Sequence, residues 1–564
     1  MSQGFRQSQA VLHTWSGLVV GWVLYLIFIA GTASYWRVEL TRWMQPELTL
    51  PATTGIALEQ AQAFLARTAP DATRWSIELP GSRSNATAVR WQPKDAPEPK
   101  RGQPNPWQAT LDANGAPVQA RETRGGDFFY RLHFDLHYVP VIWARWFVCF
   151  CTMFMLVAIV SGVITHKKIF TDFFTFRWGK GQRSWLDAHN ALSVFGLPFH
   201  LMITYTGLVT LMALYMPWGE QAGINSPALK KELTSELSAF IQPGKPSGEK
   251  APLASVEAMV REAESRWGSG NVARVTATNP GDAAARVAIT RGEGGRVSMS
   301  PQYLLFDGVS GKLLEDRSSV GAAAETRGVM YGLHLGRFGD DTTRWLYFIV
   351  SLAGTAMVGS GLVMWTVKRR QKLPDPDRPY IGFMVVERLN IAAIAGLPLA
   401  MSGMLWANRL LPMGLDKRAE WEVHVMFIVW AVTLLHALVR PAKRAWIELF
   451  WLGAASLALL PVGNALTTDR PLWRSVAQGD WTFAAVELMF WTFAALLTYL
   501  AIRTARHVPK GKPAPKAKRA APSGQDGTPV KAGARAAVKA SRMPPPPPSG
   551  EAGMALRSGG EGAR

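Results

Sequence analysis

Ten histidines occur in the 564 residues, and four of them follow a repeat. His13 opens an apolar stretch that carries Gly31 eighteen residues on, and His189 opens another that carries Gly207 at the same interval. Each stretch leads into a polar segment that closes on a tyrosine and then Leu-His: Tyr130, Leu132 and His133 first, then Tyr331, Leu333 and His334. The unit of histidine, helix, polar module, Leu-His and helix is thus written twice, over roughly 13–166 and 189–368. Two parallel copies in one membrane imply a pseudo-two-fold axis along the membrane normal. That axis pairs His13 with His189 at one face and His133 with His334 at the other.

A histidine inside or at the edge of a bilayer is costly unless it is engaged. Two imidazoles facing each other across a helix bundle supply both axial ligands of a six-coordinate haem iron. The chain lacks Cys-x-x-Cys-His, so covalent c-type haem is excluded and two non-covalent b-type haems are expected. Eighteen helical residues make about five turns and rise roughly 27 Å, so His13 and Gly31 share one face, as do His189 and Gly207. The glycines are expected to give the flat outer haem room to approach.

His137, four residues past His133, is the alternative outer ligand. His166 aligns with Met364 or Trp365 in the other copy and His200 with Leu24, which suits a structural role or contact with a propionate or substrate. His424 and His436 stand 12 residues apart. That is roughly 18 Å and about 120° around a helix, unsuited to stacking two haems on one side but open to a third redox or proton site. No residue is assigned to catalysis.

The elements that position these histidines follow from composition. Charged residues make up only 18% of the chain although its net charge is +20, and its apolar residues are bunched into runs. A soluble chain carries about 25% charged residues. Bunching excludes a simple soluble enzyme and argues against nucleic-acid binding, which needs positive charge spread over a folded surface. A bilayer core about 30 Å thick takes about 20 helical residues. Eight stretches qualify, near 14–36, 141–165, 190–216, 344–367, 384–406, 420–439, 445–467 and 481–503. Gly31 to Ala33 would suit signal cleavage, but the repeat requires the first helix to be retained.

Lys167, Lys168, Arg177, Lys180 and Arg183 follow the second stretch, Lys368, Arg369, Arg370 and Lys372 the fourth, and Arg440, Lys443 and Arg444 the sixth. Positive loops stay in the cytoplasm, so both termini are expected inside and both polar modules outside. The tail from 507 carries 11 Lys/Arg against 3 Asp/Glu, a net +8, and its Pro/Ala/Gly-rich composition predicts disorder.

The organisation read from the chain is 1–36 with the first helix, a module at 37–136, two helices at 137–216, a second module at 217–340, five helices at 341–506 and a tail at 507–564. Each module is expected to be small and α+β. The first has a helix at Leu58 to Arg67 and strands at Trp75 to Leu79 and Ala88 to Trp91. The second has a helix at Val256 to Arg266 and strands at Arg286 to Thr290 and Tyr303 to Phe306. Tight turns are expected at Asp112 to Gly115 and Asp307 to Gly311.

Other features are quieter. Cys149 and Cys151 sit in an apolar run and offer no disulfide framework or metal cluster. Most of the 23 tryptophans suit aromatic belts at the membrane interfaces. Glu387, Glu422 and Glu487 fall in or beside the later helices, where a carboxylate is capped by a neighbour or serves a proton path. Gly292 to Gly295 is a turn, lacking the lysine and following helix of a phosphate loop. No dinucleotide fingerprint is present, so bound NAD or flavin is not expected in this chain.

Several motifs resemble one family. They are Leu12-His13-x-Trp15-x-Gly17-Leu18, Tyr130-Arg131-Leu132-His133, Trp185-Leu186-Asp187-Ala188-His189, Pro198 with Thr206-Gly207-Leu208, and Leu333-His334-x-Gly336-Arg337-Phe338-Gly339. Over about residues 10–370 the chain resembles the PepSY-associated transmembrane helix proteins, also called iron-regulated or PiuB-like. The last four helices look like the extension of longer members, and the outer modules like PepSY domains, the first of them divergent. The resemblance implies an inner-membrane protein of bacteria that uses two b-type haems to reduce ferric iron or a ferric siderophore. Its electrons would come from a quinol or a cytoplasmic reductase, passing the His13/His189 site before the His133/His334 site. Readings from other classes are a non-redox membrane anchor whose PepSY modules act on peptides or peptidases, and a transporter.

Overall fold

The structure, a computed structural model, describes residues 4–48, 54–81, 86–97, 105–112, 114–166, 168–175, 177, 179–239, 244–375 and 378–508. The tail from 509, Lys167, and Ala113 of the Asp112–Gly115 turn lie outside the described residues. Among the described residues seven helices are long and apolar enough to cross a membrane: Phe5–Ser34, Val141–Thr165, Asp341–Arg370, Ile381–Leu410, Arg418–Val439, Ala442–Thr467 and Trp481–Arg506. With a bent pair, Gln182–Phe195 and Leu197–Thr210, counted as one, there are eight.

That pair corrects the single stretch expected at 190–216: its halves meet at 68°. Pro198 has no N–H for the carbonyl of Val194, and the Gly196 amide reaches the Leu192 carbonyl only at 3.3 Å. A second irregularity is the π turn Ala392–Gly396 in the helix Ile381–Leu410. Pro398 leaves the Ile394 carbonyl without its helical donor, and the Tyr25 hydroxyl donates to it at 3.4 Å. The Trp430 indole donates to the Ala392 carbonyl at 3.0 Å. Side chains of neighbouring helices thus satisfy backbone groups that water cannot reach.

The first span is the hub. Leu24, Ile27 and Phe28 pack with Val148, Met155 and Met357 of the second and fourth spans. Its other side, with Tyr25, Leu26 and Ala30, joins the large core shared with the four later spans. Close approach relies on small residues: a Cβ on Gly354 would lie 2.6 Å from the Phe28 ring. One turn nearer the modules, the Thr32 hydroxyl meets those of Ser351 and Thr355 at 2.9 and 3.3 Å.

The two polar modules are joined through one sheet. Its strands are β1 (Arg74–Glu78), β2 (Thr87–Gln92), β3 (Gln108–Leu111), β4 (Val272–Thr278), β5 (Arg286–Arg291), β6 (Tyr303–Asp307) and β7 (Leu313–Arg317). They lie antiparallel in the order β3-β2-β1-β4-β5-β6-β7, and Ile77 opposite Val275 joins the halves. Helices Thr54–Thr68 and Val256–Trp267 cover one face, where Leu58, Leu65, Val260 and Trp267 share a core with Trp75, Ile77, Val275 and Ile289. The strand β4 was not among the strands expected from sequence; it follows its module's helix as β1 does, and its register slips between Val272 and Arg274.

Asp282 ties down the loop before the second module's helix. It accepts from the backbone N–H groups of Ala284, Ser247 and Gly248 at 2.7, 2.9 and 2.8 Å, and from the Ser247 hydroxyl. Those donors pull its pKa down to about 2. A depressed carboxyl pKa adds stability above the ordinary carboxylate range and loses it as pH falls through the folded value. Protection of the amides at 247–249 relative to their intrinsic exchange rates is therefore expected to fall between pH 4 and about 2, and at neutral pH in Asp282→Asn.

Candidate functional site

The repeated histidines form two facing pairs. The ring centres of His13 on the first span and His189 on the inner half of the bent pair are 6.2 Å apart at 70°. On the module side, His133 on helix Asp127–Asp135 and His334 on helix Ala322–Leu335 are 6.1 Å apart at 43°. Along the first span, 14 residues separate His13 from Ile27, whose carbonyl holds His133. The two pairs thus sit roughly 21 Å apart in depth.

Each ring is anchored through Nδ1. The acceptors are the carbonyls of Ala158 for His13 at 2.8 Å, Ile27 for His133 at 2.6 Å and Met357 for His189 at 3.0 Å. The Thr206 hydroxyl lies 3.1 Å from Nδ1 of His334. An imidazole that donates from Nδ1 to a carbonyl keeps its lone pair on Nε2, the arrangement of a metal-ligating histidine. Burial lowers the pKa of His133, and burial with the neighbouring His133 lowers that of His334 to about 3.

The spacing has a chemical meaning. Two imidazoles on opposite sides of one metal need about 2 Å of bond each and about 1.1 Å from ring nitrogen to ring centre, roughly 6 Å in all. Both pairs meet that figure. Among the described residues no three His, Cys, Asp or Glu converge on a metal position.

Glycines seat the imidazoles. A Cβ on Gly31 would fall 2.7 Å from Nδ1 of His133, and one on Gly207 2.9 Å from Cε1 of His334. The space that these glycines leave is occupied by the His133 and His334 rings. The inner pair has equivalents that the sequence reading missed: a Cβ on Gly162 would be 3.1 Å from His13, and on Gly361 3.2 Å from His189. Their signal was the repeated Ser-Gly, Ser161-Gly162 and Ser360-Gly361, at matching places in the two copies.

The remaining histidines face elsewhere. His137 turns away from the outer pair because Leu136, His137 and Tyr138 all adopt positive φ, of 52°, 31° and 49°. This left-handed reversal costs roughly 1–2 kcal/mol per non-glycine residue. It is held by stacking of His137 on Phe427 at 5.6 Å and of Tyr138 on His424 at 5.8 Å. The Tyr138 hydroxyl also bonds Nδ1 of His424. His166 accepts from the Asn190 amide at 2.6 Å, and His436 pairs with Glu448 at 2.8 Å. His200 is buried, edge-on to Phe28 at 6.3 Å.

A cavity of about 400 Å³ surrounds the outer pair, lined by Gly31, His133, Gly207 and His334 and also by Cys149. Four arginines share its wall: Arg37, Arg145, Arg337 and Arg344.

No curated protein matches the chain. The sequence profile of the PepSY-associated TM region matches residues 10–368, a stretch that holds both copies of the repeat and all four paired histidines. With well over half of its length matched, the chain belongs to the PepSY-associated transmembrane-region family.

Proposed function

We propose that the chain is a di-haem electron conduit of the bacterial inner membrane, passing electrons outward to reduce ferric iron or a ferric siderophore. The observation that carries this reading is the 6.1 and 6.2 Å spacing of two anchored histidine pairs stacked in depth. Bound at those pairs, two b-type haems would supply one-electron relay sites near the two faces of the membrane. The protein's part is positional: carbonyls of Ala158, Ile27 and Met357 fix the imidazoles, and glycines bring the helices close enough for the rings to meet. The positive loops around Lys168, Arg183 and Lys368 support a cytoplasmic location for the His13/His189 pair, with the modules outside. The donor on the cytoplasmic side is a quinol or a soluble reductase.

The test is the visible spectrum and haem content of the detergent-purified protein, before and after dithionite. Two low-spin b-type haems per chain are expected, and a colourless chain that takes up no haem overturns the reading. The glycines sharpen it. Gly31→Val and Gly207→Val are expected to lose the outer haem, Gly162→Val and Gly361→Val the inner, each by overpacking worth about 1–3 kcal/mol. Potentiometric titration distinguishes the two.

A further inference from the structure

The arginines of the outer cavity are unequal. Arg145 pairs with Asp135 at 2.8 Å and lies over the Phe134 ring. Arg344 is held by Glu39 at 2.6 Å and by Asp341, and covers Trp36. Both are committed to their own surroundings. Arg37 and Arg337 differ. Arg37 gives Nη1 to Asp127 at 2.9 Å, and Arg337 gives Nη1 to the two oxygens of Glu293 at 2.9 and 2.8 Å. A guanidinium carries five N–H donors in a fork, so each retains Nε and Nη2.

These two guanidiniums come from opposite halves of the repeat and converge. Both lie over the Tyr130 ring, at 4.9 Å for Arg37 and 5.5 Å for Arg337. Burial and the charge of Arg337 both lower the pKa of Arg37, as two like charges sharing one low-dielectric wall require. Among the described residues that line the cavity there is no Asp or Glu. The partner carboxylates are drawn from outside: Asp127 begins the helix that carries His133, and Glu293 sits in the Gly292–Gly295 turn of the second module.

We propose that Arg37 and Arg337, which share the Tyr130 ring, form a binding site for a carboxylate-bearing anion at the outer mouth of the cavity. Their unspent donors match the planar, bidentate geometry of a carboxylate. Such a carboxylate has two sources, a propionate of the outer haem or a carboxylate of an anionic ferric chelate. The inference rests on the haem reading of the cavity, because the mouth is the route to that site. It adds a charge preference: anionic chelates are favoured over cationic ones.

The test uses the full-length protein in detergent, with haem content, the reduced spectrum and ligand binding measured on the same samples. The probes are gallium(III) citrate, an anionic and redox-inert stand-in for a ferric chelate, and the cationic gallium(III) complex of desferrioxamine B. Wild type is expected to bind the citrate complex in a salt-sensitive manner and the cationic complex at least about tenfold more weakly. Arg37→Gln and Arg337→Gln are expected to weaken citrate binding about tenfold with two haems retained. Loss of outer haem in these variants, together with no citrate binding by wild type, assigns the same site to a propionate. Arg37→Lys and Arg337→Lys then restore haem content only partly. If haem content and citrate binding are both indifferent to Arg37 and Arg337 in a wild type that shows its two haems, the carboxylate site is overturned and the conduit stands. A wild type without haem overturns the conduit itself.

Discussion

Removing the His334 side chain is expected to take the protein from about two haems per chain to about one, with the His13/His189 site untouched. His334 stands in the last turn of its short helix, and its ring fills the space left by Gly207. Alanine there leaves His133 anchored to the Ile27 carbonyl but with nothing 6.1 Å across from it. A single axial imidazole loses the low-spin signature even if some haem remains, so the spectrum reports the change independently of stoichiometry. His133→Ala is expected to match it. His137→Ala is the control, since its ring stacks on Phe427 and should leave both haems in place. If His137→Ala empties the outer site and His133→Ala does not, the assignment of the pair is reversed.

The second large effect concerns the later helices. Arg418 and Glu422 are both fully buried and paired at 2.6 Å. Glu422 also accepts from the Asn408 amide at 2.7 Å and the Thr123 hydroxyl at 2.6 Å, while Arg418 donates to the Glu122 carbonyl at 2.7 Å. Replacing one partner leaves an uncompensated buried charge, a cost of about 3–5 kcal/mol. Glu422→Leu should therefore lower the thermal midpoint severely, and Arg418→Met/Glu422→Leu should recover most of the loss. Residues 122 and 123 lead directly into the helix of His133. In Glu422→Leu the outer haem is expected to be lost at a lower temperature than the inner, as followed by the absorbance of each. Simultaneous loss of both would show that the network stabilises the bundle without positioning His133.

The pairing of the four histidines was legible because a two-fold repeat writes each of them twice, and matching His13 with His189 needed only counting. His133 and His137 were not separable that way. The choice depends on a backbone reversal at 136–138 built from leucine, histidine and tyrosine, residues that carry no turn signature. Gly162 and Gly361 were hidden among other span glycines because their role appears only when a ring from another helix lands on them. Glu422 was visible as a costly carboxylate, and Arg418 stands four residues before it on the same helix; the rest of its cap was hidden, because Asn408 and Thr123 come from two other segments. The union of the modules was unreadable for a related reason. β1 and β4 are separated by nearly 200 residues, and their pairing is made of backbone bonds that leave no mark on side-chain type.

That union also bears on how the two halves came to share one polypeptide. β1 and β4 are each the first strand after a module's helix, and they meet antiparallel at the centre of the sheet. An antiparallel contact between two like strands is isologous, the contact that a dyad imposes on identical subunits. A chain with a single copy of the unit would complete the same sheet, and bring its histidines face to face, by homodimerising. Fusion replaces that association with a tethered one, so assembly no longer depends on protein concentration. It also frees the halves to diverge, which is how Arg37 and Arg337 could arise at positions that are not equivalent in the repeat.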